Sequence, residues 1–181
     1  MTASLVTLVG NPRPGSKTLQ VAVEAAAAVA GRVDHGALNG RDGTADVVDL
    51  SALGPHLFAP TPSPILEAAV DLVAGADVLV VASPTYKGTY TGLLKAFLDR
   101  LPHRALAGTA ALPLLVMGDP RHALAVEVHL RPLLVELGAT VPTPGLAVVE
   151  ADLPRLNEIL TGWADQVTPQ VATALREGAS T

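Results

Sequence analysis

Nine consecutive residues, Gly10-Asn11-Pro12-Arg13-Pro14-Gly15-Ser16-Lys17-Thr18, gather glycines, prolines, hydroxyls and cations in one stretch. The apolar run before them, Leu5-Val6-Thr7-Leu8-Val9, predicts a buried strand. The run after them, Leu19 to Ala28, predicts a helix. A strand entering a helix through such a loop makes an anion site. The first helical turn leaves N–H groups without acceptors and carries roughly half a positive charge. Ser16 and Thr18 add hydroxyl donors, and the Arg13 guanidinium is a planar fork suited to phosphate. These residues imply a phosphate-bearing ligand. The alternative is a helix merely capped by Ser16.

Gly10 and Gly15 have the spacing of the P-loop pattern G-x-x-x-x-G-K-[ST], but Ser16 stands where its Lys belongs. The dinucleotide pattern G-x-G-x-x-G is absent from this turn. A mononucleotide phosphate held by hydroxyls, Arg13 and backbone N–H groups fits better.

A second stretch, Ser83-Pro84-Thr85-Tyr86-Lys87-Gly88-Thr89-Tyr90-Thr91-Gly92, holds two of the chain's five aromatic residues. It follows Asp77-Val78-Leu79-Val80-Val81-Ala82 and precedes Leu93-Leu94-Lys95-Ala96-Phe97-Leu98-Asp99. Its prolines hold the backbone, whose N–H and C=O groups suit a flat heteroaromatic ring. The plainer alternative is a tight turn with Thr89 or Thr91 as helix cap. Placement of both loops at one sheet edge favours ligand binding.

The elements that must position these loops alternate along the chain. Strands are predicted at about 4–9, 45–50, 77–82, 109–117 and 144–149. Helices are predicted at about 16–31, 63–74, 89–101, 121–138 and 152–176. The strands are apolar throughout rather than alternating, which marks a parallel sheet covered on both faces. The pattern predicts an α/β fold, a doubly wound flavodoxin-like parallel sheet of order 2-1-3-4-5. Residues 34–44 read as a polar surface loop, and 51–64, with four prolines, as a stiff irregular connection. Trp163 falls on the apolar face of the last helix and reads as core or subunit interface rather than a ligand platform.

At 181 residues the chain reads as one domain, 1–181. With no cysteine, it has no disulfide, thiol nucleophile or Cys-ligated metal. A net charge of −5 argues against nucleic acid, and no apolar run is long enough to span a bilayer. The N-terminus lacks a signal-peptide pattern, so the cytoplasm is expected. His122 and His129 are seven apart but lack the carboxylates of a metal set, so no metal is expected.

The stretch Ser83 to Asp99 resembles the NADPH-dependent FMN reductases, and most closely their alkanesulfonate-utilisation branch. The first loop resembles that family's phosphate loop, Gly-Ser-x-Arg-x-x-Ser-x-Thr. Arg13, Ser16 and Thr18 match it, and Asn11 stands in place of the first Ser. Leu101-Pro102, Ala105-Leu106-Ala107-Gly108, Leu112-Pro113-Leu114, His122 to Glu127 and Leu130-Arg131-Pro132 are similar to that branch as well. The likeness covers most of the first 150 residues.

The resemblance implies FMN, with its phosphate on Arg13, Ser16 and Thr18 beside Asn11 and Lys17. The ring would lie against Pro84, Thr85, Tyr86 and Lys87. A third contact follows the fourth strand, where the family usually has Gly-Gly-x and this chain has Met117-Gly118-Asp119. An ionised Asp119 would disfavour the anionic reduced ring, which a hydrogen bond to its N3–H would offset. Hydride passes from NADPH or NADH to flavin N5, so no catalytic side chain is required. Lys87 either stabilises the developing charge, binds the NADPH phosphate or is a solvated loop lysine. A flavin-dependent monooxygenase would take the reduced FMN, and the chain would form a homodimer or homotetramer.

In part of that branch an inserted Tyr makes a π-bulge in the fourth helix, associated with flavin exchanged as a substrate. Val128 stands at or near that position, which predicts an ordinary α-helix and retained FMN. Competing readings are a quinone, azo-dye or metal-ion reductase on the same scaffold, a flavodoxin-type electron carrier, and an FMN-free subunit. Arg13 and the modest net charge oppose the carrier. Met117 and Asp119 keep the FMN-free subunit in play.

Overall fold

The computed structural model describes residues 3–33, 38–39 and 45–178. Its strands are β1 (Ala3–Val9), β2 (Leu38–Asn39), β3 (Asp46–Asp49), β4 (Val78–Pro84), β5 (Ala110–Met117) and β6 (Leu146–Val149). Among the described residues every strand pairing is parallel, and β3, β1, β4, β5 and β6 lie in that order. This is the predicted 2-1-3-4-5 sheet. The central strands β4 and β5 are buried along their whole length, which is why their sequences are apolar without alternation.

Two short strands share the outer edge of β1. β2 pairs its beginning (Ala3↔Leu38) and β3 its end (Val6↔Asp46 to Val9↔Asp49). The reading of 34–44 as loop is therefore corrected at Leu38–Asn39, where an open strand edge supplies backbone partners. The rest of that stretch lies outside the described residues.

Helices cover both faces. α1 (Lys17–Ala30) and α6 (Leu156–Gly178) pack on one, through Val21, Ala25, Leu160 and Val167. α2 (Gly54–Leu57), α3 (Pro64–Ala74), α4 (Gly92–Leu98) and α5 (Arg131–Glu136) pack on the other, through Leu57, Leu66, Phe97 and Leu134. The stretch 51–64 is not wholly irregular, since α2 forms one turn there. Trp163 is core. It is 4% exposed, and its indole N–H donates to the Pro144 carbonyl at 2.9 Å.

The fourth helix is not an ordinary α-helix. A 3₁₀ turn (Pro120–His122) leads to a π-helical segment, Val126–Leu130, before α5. The Arg131 N–H bonds to the Val126 carbonyl, five residues back. This corrects the expectation drawn from Val128. The physical reason lies at Pro132, which has no N–H for the Val128 carbonyl and whose ring would strike it in α register. A widened turn upstream relieves that clash. Glu127 accepts from Arg131 and from the Gly145 N–H at 2.6 Å, while Arg131 Nη2 reaches the Pro142 carbonyl at 3.1 Å. These bonds fasten the π turn to the segment before β6.

Candidate active site

Three loops leave the C-terminal ends of adjacent strands β1, β4 and β5, the ligand edge of a doubly wound sheet. Register sets their relation: Val9 pairs with Ala82, and Pro84 with Val116.

In the first loop Pro12, Arg13, Pro14 and Gly15 are exposed, and Gly15 takes φ +60°. Ser16 caps α1, its Oγ accepting the Leu19 N–H at 3.2 Å. The cap does not consume the Lys17 and Thr18 N–H groups, which have no acceptor within the helix. Thr18 itself is 1% exposed, and its Oγ1 accepts from Asn11 Nδ2 at 3.0 Å. Lys17 is engaged elsewhere: its ammonium lies 2.6 Å from Glu150 Oε2 at the end of β6.

The second loop is closed at its base by Ser83, whose Oγ accepts the Thr91 N–H at 3.0 Å. Tyr86 and Thr89 pair across a two-residue turn, with the Tyr86 N–H on the Thr89 carbonyl at 2.9 Å. Lys87 (φ +54°) and Gly88 (φ +87°) both sit in the left-handed region, as a type I′ turn requires. Lysine is a costly choice there. Thr85 donates its N–H to the Val116 carbonyl at 2.8 Å. Its Oγ1 is buried without a hydrogen-bond partner among the described residues. The two other such hydroxyls, Thr7 and Thr168, lie inside β1 and α6, away from the loops.

In the third loop Asp119 is not a bare charge. Its carboxylate caps the 3₁₀ turn through the Arg121 N–H (2.9 Å) and takes Arg121 Nε (2.9 Å) and Nη2 (2.6 Å). These bonds hold its pKa down to about 2. Asp119, expected from the sequence as an introduced charge, is ionised and paired with Arg121, which is exposed.

Lys17 thus stands apart from the other expected residues, while Asn11, Arg13, Ser16 and Thr18 share the first loop, Pro84 to Lys87 the second, and Gly118 and Asp119 the third. Sequence reasoning missed Ser83, Arg121 and Glu150. Asp119-Pro120-Arg121 carries the cap signal of an Asp before a Pro. Glu150, 133 residues from its partner, left no local signal. A shallow groove of about 430 Å³ lies elsewhere, lined by Pro144, Glu158, Trp163 and Gln166. It touches none of the three loops, and its charged lining residues, Arg155 and Glu158, are of opposite sign, so the strand-end loops remain the candidate site. Among the described residues, no cluster of three metal-ligating groups forms, and no helix is long and apolar enough to cross a membrane.

Residues 3–153 match the family model for NADPH-dependent FMN reductase. The chain is 37% identical over 137 residues to an FMN reductase (NADPH) of Escherichia coli, covering 75% of this chain and 67% of that one. It is 38% identical over 102 residues to the NADH-dependent FMN reductase SfnF of Pseudomonas putida, covering 56% of this chain and 55% of that one. The apo NADH:FMN oxidoreductase EmoB superposes with a TM-score of 0.74 at 38% identity, over 92% of this chain and 90% of that one. Loops, fold and sequence agree, and the chain belongs to the NADPH-dependent FMN reductase family.

Proposed function

We infer that this chain is an NAD(P)H-dependent FMN reductase. The observation that carries the reading is the pairing of two features on adjacent strands. One is a cationic helix N-terminus, at Arg13 and Ser16. The other is the buried, unpartnered Thr85 hydroxyl. An unsatisfied buried hydroxyl costs about 1–3 kcal/mol, which a polar ligand atom recovers.

Arg13, Ser16 and the free N–H groups of α1 hold the FMN phosphate. Pro84, Thr85, Tyr86 and Lys87 would hold the ring, together with Gly118 and Asp119 of the third loop. When bound there, FMN would supply the hydride-accepting chemistry, with NADPH or NADH as donor. Lys87 places a cation beside the ring and favours the reduced, more negative form. The Asp119–Arg121 pair spares that form a repulsive charge. No side chain acts as nucleophile.

The π segment supports flavin acting as an exchangeable substrate rather than a retained group. Reduced FMN goes to a flavin-dependent monooxygenase, and the enzyme works in the cytoplasm, where the nicotinamide nucleotides are maintained. Leu124, Val128 and Val135 are 66%, 50% and 54% exposed around the π segment. They support a homodimer or homotetramer built on this face.

The test is oxidation of NADPH and of NADH, followed by loss of nicotinamide absorbance, with and without added FMN. The expected rate rises and saturates with free FMN on colourless protein. Yellow protein that oxidises NADPH without added FMN would make the flavin prosthetic. No oxidation and no FMN binding would sink the reading.

A further inference from the structure

Between Asn11 and Gly15 only one backbone N–H exists, because Pro12 and Pro14 have none. That N–H, from Arg13, donates to Asn11 Oδ1 at 2.9 Å. The bond settles which end of the Asn11 amide is oxygen, and Nδ2 then donates to Thr18 Oγ1 at 3.0 Å. Asn11 and Thr18 are 6% and 1% exposed, so the bond between them is buried, while the Arg13 bond is half-buried at the edge of the loop. One side chain thereby joins the backbone of the exposed Arg13 to the first turn of α1. Arg13 is otherwise flanked by exposed prolines and a glycine at φ +60°.

We infer that Asn11 and Thr18 form an internal strut that positions Arg13 for the ligand's phosphate, and that Thr18 acts as support rather than as a phosphate ligand. The inference rests on the reading that this loop binds the FMN phosphate. It departs from the role that resemblance assigns to Thr18. Preorganisation is the physical content: a guanidinium already placed costs less ordering when the anion arrives. Asn11 is a positioning residue, acting through Arg13.

The experiment is equilibrium titration of the full chain with FMN and with riboflavin, which lacks the phosphate, followed by flavin fluorescence. The proteins are wild type, Asn11→Ala, Thr18→Val, Arg13→Ala and the double variants N11A/R13A and N11A/T18V. N11A and T18V are each expected to weaken FMN about tenfold, the scale of one lost buried hydrogen bond, and to leave riboflavin unchanged. N11A is expected to add nothing in the R13A background, and N11A/T18V to be no weaker than either single variant. Thr18→Ser, which keeps the hydroxyl, restores wild-type affinity. If N11A does not fold, Asn11→Ser replaces it, since a serine can still accept the Arg13 N–H yet cannot reach Thr18.

Wild-type protein that binds FMN and riboflavin equally would refute the phosphate reading itself. If wild type discriminates between them, three results would overturn the strut alone. These are equal loss of both flavins in N11A, additive losses in N11A/R13A, or a further loss in N11A/T18V, which would return Thr18 to the ligand set.

Discussion

The Thr91 hydroxyl donates to the Gly10 carbonyl at 2.6 Å. The same oxygen accepts the Leu94 N–H at 3.1 Å, so one side chain caps α4 and ties it to the end of β1. The first and second loops are thereby held at a set separation, with Thr91 4% exposed at the junction. The site's two halves come from residues 81 positions apart, and this bond joins them where both leave the sheet.

Replacing Thr91 with Val removes the cap and leaves the Gly10 carbonyl without its donor. The expected loss is about 1–2 kcal/mol of stability, read as a lower urea midpoint at unchanged slope. Thr91→Ser restores most of it. A Val variant as stable as wild type would contradict the double role.

Gly10 is required by close approach. A Cβ there would stand 2.6 Å from Leu94 Cβ, against the body of α4. Gly10→Ala is expected to cost about 1–3 kcal/mol and to weaken FMN binding as α4 is pushed away. Thermal melts and flavin titration check both effects together.

Lys87 sits at φ +54°, where a side chain is disfavoured. Lys87→Gly is expected to stabilise the fold by about 0.5–1 kcal/mol, the strain relieved less the added freedom of the unfolded chain. The same change is expected to lower kcat/KM for NADPH through loss of the cation. A more stable variant with undiminished turnover would make Lys87 a solvated turn residue.

Hydrogen bonds from Arg131 hold the Glu127 carboxyl below its ordinary pKa, with the Gly145 N–H assisting and burial opposing. A depressed carboxylate contributes stability that is fully present above the unfolded value, about 4.3. That contribution fades as pH falls through the lower folded value. Glu127→Gln is expected to cost about 1–2 kcal/mol near neutrality. Its deficit should shrink below about pH 4 as the wild type loses its own charge. Urea denaturation across that range measures it, and a deficit independent of pH would dissociate Glu127 from acid stability.

Much of the architecture was legible from hydrophobic pattern alone. β4 and β5 are apolar because both faces are covered, and Ser16 and Thr91 sit before their helices because an uncapped first turn needs an acceptor. Local patterns speak for local structure. The π segment escaped because Val128 itself carries no sign of it, whereas the cause lies four residues on, at Pro132. β2 escaped because two residues cannot show a period, and only the open edge of β1 makes them a strand.

The sequence by itself determined the strand and helix types, the two loops with their chemistry, and the caps that start α1 and α4. Each depends on residues within a few positions of one another, where propensity, capping and steric exclusion act. The tertiary structure decided the pairings. Lys17 is drawn to Glu150, Asp119 is paired with Arg121, Thr18 turns inward to Asn11, and Thr85 keeps a buried hydroxyl without a partner among the described residues. Those outcomes depend on which side chains converge at the sheet edge and which of them water can no longer reach. Burial and competition among partners settle them, and neither is written in the order of residues along the chain.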